Sequence, residues 1–326
     1  MIIARSPLRV SLGGGGTDLA SYYSKNIGFV ISAAINKYVY VTITQPFRPG
    51  IYLKYSSIEK TNDIRKVKHP IIREVLKEEK LTGKSLELTT LADIPSGTGL
   101  GSSGSFTTAL IKAIYFDQKK IISGKKLAEK ACKIEIEKLN EPSGKQDQYI
   151  SSFGGVNCFK FEKSGNVQVN PLKISEKNLD KLENNLLLFY TGFTRRSKKI
   201  LITQKNNSKT KDSEMIKKLD KIKKIGLETK KFLEKGDFDS FANIMNQHWI
   251  EKKKRSGLMS NDKIDLLYNQ GLKNGAIGGK LVGAGGGGFL MFYANDKEKL
   301  KNYFNKQNIE EVEFKFDYEG SKIIMQ

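Results

Sequence analysis

The chain has 326 residues, 38% hydrophobic and 28% charged, with 56 Lys+Arg against 35 Asp+Glu for a formal net charge of +21. That length suffices for two ordinary domains around a substantial core, and the composition excludes a disordered or fibrous chain. No apolar run nears the roughly 20 residues of a membrane-spanning helix, so no membrane partner is expected. Cys132, Cys158, His69 and His248 are too few and scattered for the usual zinc site.

Two cysteines without a partner motif fit a reducing compartment. Met1–Arg5 runs directly into a strand-like segment without a leader pattern, so a cytoplasmic location is expected. A strong positive charge suits a nucleic-acid binder, but here lysine is spread along the whole chain. Its densest part, 205–235, also holds Asp212, Glu214, Asp220, Glu228 and Glu234. Met215, Leu219, Ile222, Gly226, Thr229 and Phe232 fall there on one helical stripe, which makes the lysines a solvated helix face. The expected partner is an anionic small molecule, drawn by the field, and not a nucleic acid.

In chain order, Arg9–Leu12 reads as a strand running into Gly13-Gly14-Gly15-Gly16-Thr17-Asp18. Bare backbone here admits a ligand closely, with Asp18 as a hydroxyl acceptor; a plain hairpin turn is the other reading. Val30–Ile35 and Tyr38–Thr44 read as strands, the second alternating with period two, and Ile51, Leu53 and Tyr55 continue the pattern. Pro70–Lys80 is a short amphipathic helix with proline in its first turn. Leu86, Leu88 and Leu91 mark an extended run before Pro95-Ser96-Gly97-Thr98-Gly99-Leu100-Gly101-Ser102-Ser103-Gly104-Ser105, after which Phe106, Ala109, Leu110, Ala113 and Ile114 recur at helical spacing. A glycine-rich turn feeding a helix start offers free N–H groups and a favourable dipole to a phosphate. No Gly-Lys-Ser/Thr closes it, so it is not a P-loop.

The helix expected over Lys125–Leu139 puts Glu135 beside an apolar face, where a salt bridge or a metal contact would satisfy it. Asp147 follows the Pro142–Gly144 turn, at a place suited to a functional carboxylate. A polar turn at Ser164-Gly165-Asn166 marks the expected domain boundary, 1–165 and 166–326. Beyond it come a strand at Leu186–Tyr190, helices within Lys198–Gln247 and Asp262–Lys273, and a glycine-dense turn at Lys280–Gly288 leading to a strand, Phe289–Tyr293. Strands alternating irregularly with helices in two halves argue for an α+β fold.

With these three glycine-dense stretches in this order, the sequence resembles the GHMP small-molecule kinases. Pro7–Asp18 looks like their first motif, Pro95–Ser105 like their phosphate loop and Lys280–Phe289 like their third motif, so the resemblance spans essentially the full chain. It implies a two-domain architecture, an N-terminal domain like the second domain of ribosomal protein S5 and a ferredoxin-like C-terminal domain, with ATP and substrate in the cleft between. It implies ATP contacts at Pro95, Gly97, Thr98, Gly99, Leu100, Gly101, Ser102, Ser103 and Gly104, with Tyr55 and Ser56 toward the adenine. It further implies Mg²⁺ on Glu135 and Ser103 (Ser102 being the other hydroxyl), a catalytic Asp147 beside Arg9, and substrate contacts at Gly14, Gly15, Gly16, Thr17, Asp18, Gly285 and Gly286.

Where galactokinases of that family carry Glu-His before Thr-Asp, this chain has Gly15-Gly16, so the usual galactose contacts are missing. Gly13–Asp18, Tyr55-Ser56, His69–Ile72, Gly144–Tyr149 and Thr191–Arg195 are more similar to the family's D-glycero-D-manno-heptose 7-phosphate kinases. That resemblance implies phosphorylation of the anomeric C1 hydroxyl to heptose 1,7-bisphosphate, on the way to nucleotide-activated heptose. Fucokinase-like members are the nearest alternative; a non-catalytic sugar-phosphate sensor is the alternative of another class. A 7-phosphate calls for cations, for which Lys145, Arg195, Arg196 and Lys199 are the candidates unless they are ordinary surface charges. A monomer or homodimer is expected.

Overall fold

In the computed structural model, residues 1–193 and 213–326 are described. Strands β1 (Ile2–Gly13) and β2 (Gly28–Thr44) pair antiparallel along nearly their whole length. The two strands expected at 30–35 and 38–44 are thus one. Asn36 and Lys37 form a bulge in β2 opposite Pro7–Leu8; it is held by Asn36 N–H on Lys315 O (2.9 Å) and Lys315 N–H on Asn36 Oδ1 (2.8 Å). A bulge absorbs polar residues without ending the strand.

The outer half of β2 pairs with β5 (Leu86–Ala92) and the inner half with β6 (Val156–Phe161). β3 (Ile51–Lys54), β4 (Ile58–Thr61), β7 (Val167–Pro171) and β11 (Lys322–Met325) complete an eight-stranded sheet, in which only the β3–β5 pairing is parallel. The turn at 164–166 closes the β6–β7 hairpin, so β7, just past the expected boundary at 165, and β11 at the end of the chain both belong to this first sheet.

Short helix α1 (Ala20–Tyr23) follows the first glycine turn, and α2 (Pro70–Glu78) starts on its proline with His69 as cap. α3 (Ser102–Asp117) begins inside the glycine–serine stretch, four residues before its first apolar anchor, Phe106. α4 (Gly124–Cys132) opens into a π-helical turn, Lys133–Lys138, where a continuous helix was expected. Such widened turns recur at functional sites, and this one carries Glu135. α5 (Gln146–Phe153) and α3 pack on β1 and β2.

The second body has a three-stranded antiparallel sheet, β8 (Leu186–Tyr190), β10 (Phe289–Tyr293) and β9 (Gly278–Leu281), in that order. Segment 310–312 lies along the free side of β8, with Tyr190 N–H on Glu310 O (2.8 Å) and Val312 N–H on Leu188 O (2.9 Å). Helices α6 (Glu176–Asn185), α7 (Ser213–Lys235), α8 (Phe238–Lys253), α9 (Asp262–Lys273) and α10 (Lys297–Lys306) surround it. On α7, Met215, Leu219, Ile222 and Thr229 are buried, as the lysine-rich stripe required. One core joins the bodies: Leu8, Val10, Leu12 and Ile31 pack with Phe241, Met245, Phe289 and Met291. The α+β class stands.

Helix α8 packs closely on β9, where a Cβ on Gly278 would stand 1.8 Å from Ala242 O. Backbone has no rotamer with which to yield. Gly278→Ala is therefore expected to lose about 1–3 kcal/mol of stability, the scale for overpacking; an unchanged urea midpoint would contradict this contact.

Candidate active site

A cleft of about 790 Å³ lies where the glycine turns of the two bodies meet. Its floor is the loop before α3. Gly101, at φ 81°, is the N-cap of α3, and no side chain caps that helix. The first-turn N–H groups are thus left for a ligand, and the dipole favours an anion. Ser96, Gly97, Gly99, Gly101, Ser102, Ser103 and Gly104 line the cleft. Thr98 instead braces the loop through Pro95 O (3.0 Å), and Leu100 is buried in the shared core. Pro95, Thr98 and Leu100 shape the loop from behind and do not line the cleft, unlike the other residues expected to touch ATP.

Asp147 sits in the first turn of α5, and its Oδ1 accepts from Arg9 Nε at 2.8 Å. The same guanidinium donates to Gly99 O at 2.5 Å, so Arg9 ties the carboxylate to the anion loop. Two helix starts converge here. A Cβ on Gly104 would stand 2.8 Å from Asp147 Cβ and 3.0 Å from its carbonyl carbon, so only glycine lets α3 and α5 meet this closely.

Glu135, on the π-helical turn, is buried; Oε2 accepts from Ser103 Oγ (2.5 Å) and Oε1 from Gln148 Nε2 (3.0 Å). Burial pushes its carboxyl up, the charge of Asp147 adding, against the pull of hydrogen bonds from Ser103, Gln148 and Thr107. No cation pairs with it among the described residues. A buried carboxylate beside a hydroxyl, without a countercharge, suits a small hard cation. The donor set therefore fits Mg²⁺, with Ser103 reaching Glu135 and Ser102 beside it on the cleft wall.

The first glycine turn lines the cleft through Gly15, Gly16 and Asp18. Asp18 Oδ1 accepts from Gly16 N–H (2.9 Å) and Oδ2 from Gln146 N–H (3.3 Å). Burial pushes its carboxyl up, and Asp147 adds to this, against those N–H groups. Thr17 is structural: its hydroxyl donates to Gly14 O and Phe29 O, both at 2.9 Å. Gly14 is also internal, packed so that a Cβ would stand 2.0 Å from Phe29 O. Tyr55 and Ser56 lie on the cleft margin with His69 and Leu91.

Three groups of residues expected at the substrate stand away from the cleft lining. Lys145 Nζ donates to Gly165 O (2.6 Å) and lies 5.1 Å over the Tyr23 ring, so it serves the β6–β7 turn instead of the cleft. Gly285 and Gly286 pack against Met259, with Gly286 N–H on Met259 O (2.8 Å); the third glycine turn lines the cleft through Gly283 and Ala284. Gly14 and Thr17 hold the first turn from within. Arg195, Arg196 and Lys199 fall outside the described residues.

Four lining groups were not foreseen: His248 and Lys252 on α8, Arg255 just after it, and Lys280 on β9. All four are buried. Lys280 Nζ donates to Leu12 O (2.6 Å) and lies 3.0 Å from His248 Nδ1. Burial pushes its ammonium down to about 7, with Arg9 adding to the effect. The signal was the i, i+4 spacing of 248 and 252, which sets two basic groups on one face of α8, with Arg255 in the turn that follows.

The fold and the cleft define a phosphotransferase built around a helix-start anion loop and a carboxylate. Residues 65–155 match the GHMP kinases N terminal domain and 229–310 the GHMP kinases C terminal domain. The chain is 32% identical to the D-glycero-alpha-D-manno-heptose 7-phosphate kinase of Campylobacter jejuni subsp. jejuni serotype O:2, over 98% of each chain. A crystal structure of a D-glycero-D-manno-heptose 1-phosphate kinase from Bacteroides thetaiotaomicron superposes with a TM-score of 0.82 at 27% identity, covering 100% of this chain and 99% of that one. A putative sugar kinase from Campylobacter jejuni gives 0.77 at 31% identity, over 99% and 97%. The chain belongs to the GHMP kinase family, and it is an ATP-dependent phosphotransferase with an alcohol group as acceptor.

Two outcomes test the site. In Gly104→Ala the added methyl pushes Asp147 off the loop, and a displacement near 1 Å in such a site can cost about 10²-fold in turnover; wild-type kcat in a folded variant would refute the contact. Lys280 has a lower pKa folded than unfolded, so the unfolded chain holds more protons between about pH 7 and pH 10, and this group's contribution to stability rises with pH across that window. The unfolding free energy of the wild type should therefore climb relative to that of Lys280→Met from pH 7 to 10. A constant difference would mean that no buried ammonium titrates there.

Proposed function

We propose that this kinase transfers the γ-phosphoryl group of ATP to the anomeric C1 hydroxyl of D-glycero-D-manno-heptose 7-phosphate, giving heptose 1,7-bisphosphate and ADP for the synthesis of nucleotide-activated heptose. The observation that carries the reading is Asp147, held by Arg9 between the anion loop and the Gly15–Asp18 turn. A hydroxyl placed by Asp18 would there face a phosphoryl group placed by α3. The full-length likeness to a heptose 7-phosphate kinase supports the sugar, and the Gly15-Gly16 pair, without the larger side chains of a galactose-binding turn, speaks against galactose.

Phosphoryl transfer depends on positioning and charge stabilisation more than on covalent chemistry. The α3 N–H groups hold the triphosphate. Asp147 orients the C1 hydroxyl and accepts its proton as the O1–P bond forms and the bond to the ADP oxygen breaks. Arg9 keeps the carboxylate in place and offers positive charge beside the transferring group. Ser103 and Glu135 would hold Mg²⁺, which supplies charge neutralisation on the phosphates when bound. Asp18 accepts from sugar hydroxyls once its partners in the turn allow.

Asp147→Asn should lower kcat about 10²-fold or more, the scale for a positioned base, while ATP affinity barely moves; near-normal turnover would remove Asp147 from the mechanism. For the substrate, ADP release should be compared across heptose 7-phosphate, heptose, mannose, mannose 6-phosphate, fucose and galactose. The highest kcat/KM is expected with heptose 7-phosphate. A preference for fucose would overturn the sugar, and no turnover with any of them would favour a sensor.

A further inference from the structure

The wall of the cleft contributed by the second body carries charge that phosphoryl transfer to C1 leaves unused. Lys252 Nζ donates to Leu281 O (3.0 Å) and Gly283 O (2.5 Å), and Arg255 donates from one terminal nitrogen to Gly15 O (3.2 Å). Neither has a carboxylate partner among the described residues. Arg255 is only 6% exposed, and its Nε, buried, has no acceptor. A guanidinium has five donors in a rigid fork, and one of them here is satisfied by a backbone carbonyl. Burying cations without counterions is costly. Burial pushes Lys252 well below its usual range and Arg255 to about 10, as expected of groups whose anion is supplied from outside.

Position distinguishes which anion. The triphosphate site is at the start of α3, beside Gly99 and Arg9. Arg255 instead touches the turn that also carries Asp18, and a Cβ on Gly16 would stand 2.6 Å from its guanidinium. Its one attractive charge partner is Asp18, not a residue of the anion loop. Lys252 reaches the third glycine turn through Gly283 O (2.5 Å), and the charges of Arg255, Lys280 and Arg9 add to the effect of burial on its ammonium.

We propose that Arg255, with Lys252 beside it, forms the pocket for a phosphomonoester borne by the sugar substrate itself, at the end remote from the hydroxyl that is phosphorylated. The pocket deepens the sugar-phosphate kinase reading and rests on it. Arg255 supplies the planar fork that a phosphate accepts in two parallel hydrogen bonds; Lys252 supplies a second charge at short range. Lys145 is engaged elsewhere and takes no part.

The test uses the full chain with heptose 7-phosphate and unphosphorylated heptose, at saturating ATP. In Arg255→Gln, kcat/KM for heptose 7-phosphate should fall about 10- to 100-fold more than for heptose, the range for a lost charged hydrogen bond, and KM for ATP should stay within about twofold. The thermal shift that heptose 7-phosphate produces without ATP should disappear in the same variant. Arg255→Lys, which keeps the charge and the burial but not the fork, should lose an intermediate share of the preference, and it decides the matter if the glutamine variant does not fold. Equal losses on both sugars, or a loss confined to KM for ATP, would overturn the pocket while leaving the kinase reading intact. A wild type that does not prefer heptose 7-phosphate over heptose would overturn the substrate reading, and the pocket with it.

Discussion

The hydrogen bond from Arg9 to Asp147 is the contact on which the rest of the molecule turns. Arg9 is fixed at both ends of its residue. Its backbone N–H donates to Leu100 O (2.9 Å), and its guanidinium spans Gly99 O and Asp147 Oδ1. One strand residue thereby sets the phosphate loop, the start of α5 and the distance between them. The glycines serve this arrangement: side chains at 101 and 104 would meet Arg9 or Asp147 directly. What reads in the sequence as flexibility acts in the fold as close packing around a charged pair, the preorganisation that electrostatic catalysis requires.

Burial then divides the remaining charges of the cleft into two groups. Glu135 and Asp18 are pushed up, toward the neutral acid; Lys252, Lys280 and Arg255 are pushed down, toward the neutral base. Within a compact protein such groups ordinarily pair with each other. Here they do not: Glu135 takes hydrogen bonds from Ser103 and Gln148, while the lysines donate to backbone carbonyls. A cleft whose buried acids and bases are not joined in salt bridges is complementary to a ligand set with both signs of charge. A cation held on phosphates and a separate anionic sugar supply that pattern, and a neutral sugar supplies half of it.

Much of this was legible from local pattern. The α3 start was visible because glycine and serine at 97–105 precede a helical apolar stripe, and the second half of β2 because 38–44 alternates with period two. The bulge at Asn36–Lys37 was not, since a polar pair between two strand-like runs reads as a turn until a distant segment, Lys315, is seen to hold it. The π-helical turn at 133–138 was also hidden: its residues are good helix formers, and the widening comes from the tertiary seat of Glu135. Lys252 and Arg255 escaped for a different reason. They sit in the run Glu251–Arg255, where Lys253 and Lys254 do pair with carboxylates, Asp265 and Glu251, so composition alone assigns the whole run to solvent. Periodicity separates the two faces; charge counting does not.

The third glycine turn shows how far backbone contact, and not ligand contact, can be the reason for a motif. A Cβ on Gly283 would stand 2.5 Å from Gly99 Cα, and one on Gly288 would stand 2.0 Å from Thr98 O. This turn is wedged against the phosphate loop of the other body. Lys280 reaches across to Leu12 O, and Arg255 to Gly15 O. The two halves are therefore locked by backbone-to-backbone approach at the centre and by buried cations on either side, around a shared apolar core. A hinge placed here would have to strip those buried cations of their carbonyls, at a cost comparable to losing charged hydrogen bonds. These contacts brace the two walls of the cleft against each other, the anion loop on one side and Arg255 on the other. On the proposed reading, a cleft so braced would favour a sugar long enough to engage both the anion loop and Arg255 over one too short to do so.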